Sequence, residues 1–262
     1  MTVDALRTRP LRNVARHWRP FTAFGAVLLL WLASVRFGWV DTRFVPSPAA
    51  VAARARTEFT TGTLAFDISE SLRRNITGFA IGASAGLLLG LWLGFSSTAE
   101  RIVGPSLLAF RQIALFAWVP LLSAWFGGAD AGKIAFIAVA GFQPVVINTW
   151  QGVKGLPPAY RELADVLMFS RIDYVRLVAL PGSLPAIFTG LHAGLIYAWL
   201  ATLGSELFLN VTPGIGGRLN EGSQLFEMDL LFLGIIVLAV IGLLYNSSAV
   251  WLETRLLRRR TR

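Results

Sequence analysis

Six apolar stretches, each about as long as a membrane-crossing helix, divide this chain. A helix needs about 20 mainly apolar residues to cross the hydrocarbon core of a bilayer. Only 15% of the residues are charged, whereas soluble domains contain about 25%. The sequence therefore predicts an all-α polytopic membrane protein. Its six predicted spans are residues 21–40, 75–95, 104–126, 133–150, 184–209 and 230–252.

The basic residues predict which ends of these spans face the cytoplasm. If both termini are cytoplasmic, 15 of the 24 lysines and arginines lie on that side and 7 on the other. Cytoplasmic segments of membrane proteins are rich in Lys and Arg, so this topology is favoured, and the net charge of +9 needs no nucleic-acid partner. The predicted organisation is a cytoplasmic tail at 1–20, a transmembrane domain at 21–252 with a cytoplasmic loop at 151–183, and a basic tail at 253–262.

Several kinds of active site are excluded by the residues that the chain lacks. It has no cysteine, and its two histidines, His17 and His192, lie far apart, so no Cys- or His-based metal site is expected. No P-loop for nucleotide phosphates is present. Residues 212–217 lack the third glycine of a dinucleotide fingerprint and are predicted to form a turn. No hydrolase motif appears either. We therefore expect a non-catalytic chain that binds no cofactor itself.

The second predicted span contains a glycine at every fourth position. Small residues at this spacing allow the backbone of another helix to approach closely, which favours helix association in lipid. The sequence therefore predicts that this glycine stripe packs against a neighbouring span. Its members are Gly78, Gly82, Gly86, Gly90 and Gly94.

Arg111 and Glu206 are charged residues within predicted spans and are candidate residues of a transport pathway. A charge within a span costs about 2.5 to 3.5 kcal/mol and normally faces protein, water or the interface. Arg111 lies seven residues into its predicted span, so its side chain is expected to reach the cytoplasmic interface. The alternative is a position beside an anionic substrate. Glu206 lies near the outer end of the fifth predicted span.

The cytoplasmic loop 151–183 is the longest charged interruption between the two apolar halves. Its prolines at 157–158 favour a helix start, and apolar residues follow at helical spacing. Ser170 and Asp173 resemble a capping box that opens a second helix. Leu180-Pro181 and a second Leu-Pro pair are predicted to end that helix. The pattern indicates two short amphipathic helices at a bend.

The same loop resembles the EAA loop of ABC importer permeases, which has the pattern E-A-A, three residues, G, nine residues, I, any residue, L-P. All the spacings match, and two residues differ, Leu163 and Met168. In that family the loop docks on an ATPase subunit, so the resemblance implies the same role here. Methionine adopts positive φ less readily than glycine, which opposes a sharp bend at Met168. The matched positions are Glu162, Leu163, Ala164, Met168, Val178, Leu180 and Pro181.

Further stretches resemble the nitrate, sulfonate and taurine branch of binding-protein-dependent ABC importer permeases. They are residues 42–48, 71–79, 111–126, 147–152 and 213–217. The resemblance implies the type I importer architecture and a bacterial inner-membrane location. It also implies the partners: a second permease copy as a homodimer, two ATPase subunits that bind ATP and Mg²⁺, and an extracytoplasmic substrate-binding protein.

Three readings of the transport function stay open. A small anion, such as an aliphatic sulfonate, taurine or nitrate, is the leading expectation. A thiamine-precursor pyrimidine is the alternative within the importer class. A stand-alone secondary carrier or channel is the rival outside it, and we see neither the internal repeat nor the paired polar centres that this rival predicts.

Overall fold

The computed structural model describes residues 25–209 and 213–258, and these residues form ten α-helices. No β-strand occurs within these ranges, in agreement with the predicted all-α class. The helices are α1 (Gly25–Arg36), α2 (Pro48–Thr60), α3 (Thr63–Phe95), α4 (Ser97–Gln112), α5 (Val119–Phe126), α6 (Asp130–Lys154), α7 (Pro158–Val166), α8 (Arg171–Phe208), α9 (Ile215–Gln224) and α10 (Met228–Arg258).

Four helices, α3, α6, α8 and α10, are long and apolar enough to cross a membrane. A fifth crossing is present if α4 and α5 are counted as one broken span. The predicted first span, 21–40, contains only the shorter helix α1, and its residues 21–24 lie outside the described ranges. The total of six spans and the cytoplasmic placement of the termini therefore remain predictions.

The predicted third span, 104–126, is interrupted in the structure and is not a single helix. Helix α4 begins seven residues earlier, at Ser97, where Ser96 accepts a hydrogen bond from the Ala99 amide at 3.2 Å and caps the helix. The chain then breaks at residues 113–114, and α4 meets the following helical segment at 96°. A 3₁₀ turn at Leu115–Trp118 leads into α5.

The other predicted boundaries also shift in the structure. Helices α3 and α8 begin before the predicted second and fifth spans, because amphipathic segments outside the apolar stretches continue the same helices. Helix α10 runs through residues 253–258 of the predicted basic tail. The predicted tail 1–20, residues 210–212 and residues 259–262 lie outside the described part of the chain.

The glycine stripe of α3 lies directly against α6. A Cβ atom added to any of its five glycines would lie within 3 Å of an α6 atom. The two backbones are therefore as close as these helices can come, and most of the stripe is buried. On its other side α6 packs on α8, where Phe136, Ile137 and Ala140 meet Ala198 and Ala201 in one apolar cluster. Helix α6 is thus the centre of the bundle.

The two ends of this bundle are chemically different. One end, which we call the α7 end, contains Lys154 at the close of α6, paired with Glu100, and leads into α7. The opposite end, which we call the Glu206 end, contains Asp130 at the start of α6 and the last turn of α8. The sites described below lie at these two ends and at the break after α4.

Candidate functional site

The helix that contains Glu162 leaves most of its apolar side uncovered. Helix α7 begins with Pro158 at its first position, where a missing amide hydrogen costs nothing. Of its residues only Ala164 is buried, with 3% of its surface exposed. Tyr160 and Leu163 are half exposed, and Glu162 is exposed beside them. The packed body of the protein therefore covers little of α7.

A left-handed residue makes the bend after α7. Met168 has φ of +54°, and its amide donates to the Asp165 carbonyl at 3.1 Å. The next amide, of Phe169, donates to the Ala164 carbonyl at 2.9 Å. These two bonds form a Schellman motif with Met168 at the position that glycine usually occupies. The sharp bend is thus present even though methionine replaces the glycine of the motif.

The second helix of the loop starts as its sequence predicts. Ser170 accepts a hydrogen bond from the Asp173 amide at 3.2 Å, and Asp173 accepts one from the Ser170 amide at 3.3 Å. This reciprocal pair confirms the predicted capping box. It fixes the direction in which the chain leaves the bend.

The prediction that Leu180-Pro181 and Leu184-Pro185 end this helix is wrong. Helix α8 continues through both prolines to Phe208. A π-helical turn at Tyr174–Ala179 precedes Pro181, and within it the Leu180 amide donates to the Val175 carbonyl, five residues back. The wider turn tolerates a proline that a regular α-helix would not accept so easily. Val178 is partly buried, whereas Leu180 is more exposed.

Glu206 lies in a closed hydrogen-bond network at the opposite end of α8. Its side chain is 1% exposed and accepts from Ser71 Oγ at 2.7 Å, the Gly216 amide at 2.8 Å and Arg74 Nη1 at 3.1 Å. Arg74 also donates to Asp130 at 2.8 Å and to the Pro213 carbonyl at 2.6 Å. Glu206 therefore joins α3, α6 and α8 to the segment before α9.

This network caps α9 from another helix. The first amides of a helix have no partner within it. Here the Gly214 amide donates to Asp67 at 2.9 Å, and the Ile215 amide donates to Ser71 Oγ at 3.0 Å. The predicted turn at 212–217 is therefore only partly a turn, because α9 already begins at Ile215.

A second arginine, Arg218, connects α9 to α3 through hydrogen bonds. Arg218 Nε donates to Asp67 at 2.6 Å, and Arg218 Nη1 donates to Glu221 at 2.8 Å. Burial opposes the charge on Arg218, but the hydrogen bond and the charge of Asp67 outweigh it and raise the pKa of the guanidinium. The side chain therefore stays charged at every physiological pH.

The structure shows residues of this network that the sequence reasoning missed. Asp67, Ser71 and Arg74 follow one another at spacings of four and three, so they lie on one face of α3. That polar stripe, just before an apolar span, is a signal that could have identified them. The hydrogen-bond network around Glu206 brings two of the resembling stretches, 71–79 and 213–217, into direct contact.

Arg111 lies apart from Glu206, at the break after α4. Because α4 begins at Ser97, Arg111 stands 14 residues, or about 21 Å, along the helix. Its side chain is exposed in the last turn of α4, and its reach to the cytoplasmic interface stays a prediction. Arg111 lines a cavity of about 370 Å³ together with Gln143 and Tyr197. Glu206 is not among its lining residues.

Sequence comparison places the chain among known proteins. The family model described as binding-protein-dependent transport system inner membrane component matches residues 84–258, which is more than half of the chain. The chain belongs to this family. The match includes the break after α4, the start of α9 and residues 158–173, which comprise α7, the bend at Met168 and the capping box and which we call the α7 segment.

Two relatives illustrate the family to which this permease belongs. It is 32% identical over 255 residues to SsuC of Bacillus subtilis (strain 168), provisionally named for aliphatic sulfonates transport, covering 97% of this chain and 92% of SsuC. It is 32% identical over 198 residues to the nitrate import permease protein NrtB of Leptolyngbya laminosa, covering 73% of this chain and 68% of NrtB.

The fold of this permease also matches a solved structure. An inward-facing MetNI methionine ABC transporter chain superposes with a TM-score of 0.63 at 16% identity. The match covers 74% of the permease and 95% of that chain. At this identity the comparison shows a shared fold and nothing about the solute.

Proposed function

We propose that this permease forms the translocation pathway of an ATP-driven importer of small anions, with aliphatic sulfonates, taurine and nitrate as its substrate class. SsuC and NrtB are named for sulfonates and nitrate, which supports this class. The chain would act as one of two identical, non-catalytic permease subunits. Two ATPase subunits would bind ATP and Mg²⁺, and an extracytoplasmic protein would deliver the solute at a bacterial inner membrane.

The uncovered surface around α7 supports an ATPase partner most directly. Leu163, Val166 and Leu167 are each more than half exposed, and Met168 is 92% exposed. Exposed apolar patches of this kind mark interaction sites in proteins. Glu162 lies within this patch and matches the charged residue of the resembling loop. A binding partner that covers α7 would bury the patch and pair with the carboxylate.

In this proposal the α7 segment transmits the state of the ATPase to the spans. ATP can shift the permease between inward and outward states only if the ATPase contacts this segment differently in the two states. The Schellman bend at Met168 links α7 directly to α8, which runs to Glu206. Movement at the α7 end can therefore reach the opposite end through one helix.

Replacing Glu162 by lysine tests the assignment of α7. We expect Glu162→Lys to reduce co-purification of the ATPase at least tenfold and to abolish uptake, because the reversed charge opposes docking. Membrane insertion should be unchanged, since Glu162 is exposed and makes no hydrogen bond or ion pair within the described residues. Asp41→Lys, also exposed but outside the α7 segment, is the control and should retain the ATPase. Normal uptake by Glu162→Lys would reject the assignment.

The substrate class has its own test in the reconstituted complex. We would measure ATP hydrolysis by the permease, its ATPase and its binding protein in the presence of ethanesulfonate, taurine, nitrate or a hydroxymethylpyrimidine. Stimulation by the anions is the expected result. Stimulation by the pyrimidine alone would transfer the assignment to that alternative, and solute movement without any ATPase would favour a secondary carrier.

A further inference from the structure

The break after α4 forms one wall of a cavity that is open to the protein surface, about halfway along the bundle. Helix α4 ends at Gln112, and Ile113 is extended, with ψ of 120°. The opposite wall of the cavity comes from α6 and α8. Its α6 residue Gln143 lies 13 residues from Asp130 and 11 from Lys154, close to the midpoint of that helix. Non-helical backbone at such a depth is tolerated where it lines a cavity or is buried in protein.

Two hydrogen-bond donors of this cavity have no partner among the described residues: the exposed guanidinium of Arg111 and the side-chain amide of Gln143. Gln143 Nε2 is buried and has no hydrogen-bond partner, which costs about 1 to 3 kcal/mol. Within residues 25–209 and 213–258, Arg111 forms no hydrogen bond or ion pair. No carboxylate lines the cavity. The arginine and the amide are therefore both available to a ligand.

These groups define the chemistry of the ligand. A guanidinium donates two parallel hydrogen bonds to an oxyanion and supplies the opposite charge. Gln143 can donate a further bond to another oxygen of the same group. The remaining wall is mostly apolar and includes Ile113, Phe116 and Leu200. The cavity therefore suits an oxyanion that has a short apolar substituent, as an alkanesulfonate has.

We propose that the cavity at the α4 break is an oxyanion-binding station within the permease, with Arg111 binding the charged group and Gln143 donating a hydrogen bond to it. This proposal rests on the proposed function, because it places an anionic solute on its route through the spans. It assigns to the permease itself a part of the selectivity for anions. Anion binding would also give a function to an arginine that lies in the last turn of α4, beside the break.

A single introduced thiol can measure the charge of the cavity directly. The chain has no cysteine, so Leu200→Cys places one thiol on the cavity wall of the permease. The probes are sulfonatoethyl methanethiosulfonate, which is anionic, and trimethylammonioethyl methanethiosulfonate, which is cationic. The intact complex would be reconstituted in phosphatidylcholine nanodiscs, where no anionic lipid can occupy the site.

The proposal predicts the ratio of the two labelling rates. With Arg111 present the anionic reagent should react faster, and Arg111→Gln should lower the anionic-to-cationic ratio at least tenfold, because the fixed positive charge is removed. Arg111→Lys should keep most of the ratio. Arg101→Gln removes an exposed arginine from the same helix, ten residues nearer its start, and should leave the ratio unchanged. Ethanesulfonate should slow the anionic labelling, whereas choline should not.

Two other results would contradict the proposed oxyanion-binding station. An unreactive thiol would show that the cavity is closed to water-soluble anions, and a ratio unaffected by Arg111→Gln would show that this charge does not act there. Gln143→Leu provides a second measurement, because it should weaken protection by ethanesulfonate at least fivefold while leaving the charge ratio intact. Labelling does not require ATP, so a lost ATPase interaction in Glu162→Lys and a lost charge preference here are separate failures.

Discussion

Met168 has a backbone conformation that glycine adopts at much lower cost. A residue with a Cβ atom loses about 1 to 2 kcal/mol in the left-handed region, and part of this is offset because glycine is more flexible before folding. We predict that Met168→Gly strengthens the bend by up to about 1 kcal/mol. The exchange of the Phe169 amide, which donates to Ala164, should slow up to about fivefold in hydrogen-exchange measurements.

Met168→Ala is the control for this prediction. Alanine removes the exposed methionine side chain but keeps the Cβ atom that makes positive φ costly. Its Phe169 amide should exchange at the same rate as in the wild type. Equal slowing in both variants would mean that the side chain, and not the backbone conformation, limits the bend.

Glu206 should be far more important for stability than an acid at the surface. Glu206→Ala removes one of the carboxylate partners of Arg74 and leaves the Gly216 amide without its acceptor in a buried site. Leaving a buried donor unsatisfied costs about 1 to 3 kcal/mol, so we expect a clear fall in the thermal unfolding temperature in detergent. Glu221→Ala removes the partly exposed partner of Arg218 and should cost less than about 1 kcal/mol. Similar losses in both variants would contradict the network.

Single residues also show where sequence reasoning succeeds. The capping box of Ser170 and Asp173 could be predicted because both partners lie within four residues of each other. Asp67 and Gly214 are 147 positions apart, and nothing local in either segment indicates the other. Glu206 could be identified as unusual by its charge in an apolar stretch. Its partners could not, because only the fold brings them together.

At the scale of helices, the glycine stripe determines how α3 meets α6. A methyl group at Gly82 would overlap the Ala138 carbonyl on the facing backbone, which cannot move as a side chain can. We predict that Gly82→Ala destabilises the permease by about 1 to 3 kcal/mol, the usual cost of overpacking. Thermal unfolding in detergent would measure the change. Gly25→Ala is the control, because a Cβ atom there meets nothing within 4 Å.

The helix boundaries were harder to predict than the existence of the helices. Apolar length locates the centres of α3, α6, α8 and α10, because only a helix satisfies its own backbone in lipid. It does not show that α8 passes two prolines, since the π-helical turn that permits this depends on packing. It also does not show the break after α4, where the apolar sequence continues across the bend.

At the scale of the whole molecule, the two ends of the bundle should face opposite sides of the membrane. Because the chain has no cysteine, Met168→Cys and Arg56→Cys each provide one exposed thiol, in the α7 segment and in α2. We predict that an impermeant maleimide labels Arg56→Cys in intact spheroplasts. Met168→Cys should be labelled only after the membrane is permeabilised. The opposite pattern would reverse the predicted topology.

The length of helix α8 determines how far a movement at one of its ends displaces the other end. Helix α8 is 38 residues long, which corresponds to about 56 Å of helix rise. If α8 moves as a rigid body, a tilt of about 5° about one end shifts the other end by about 5 Å. Glu206 stands close to that second end, bound to the amide of Gly216. In the proposed mechanism, a small displacement near Arg171 is therefore expected to move the anchor of α9 without unfolding any helix.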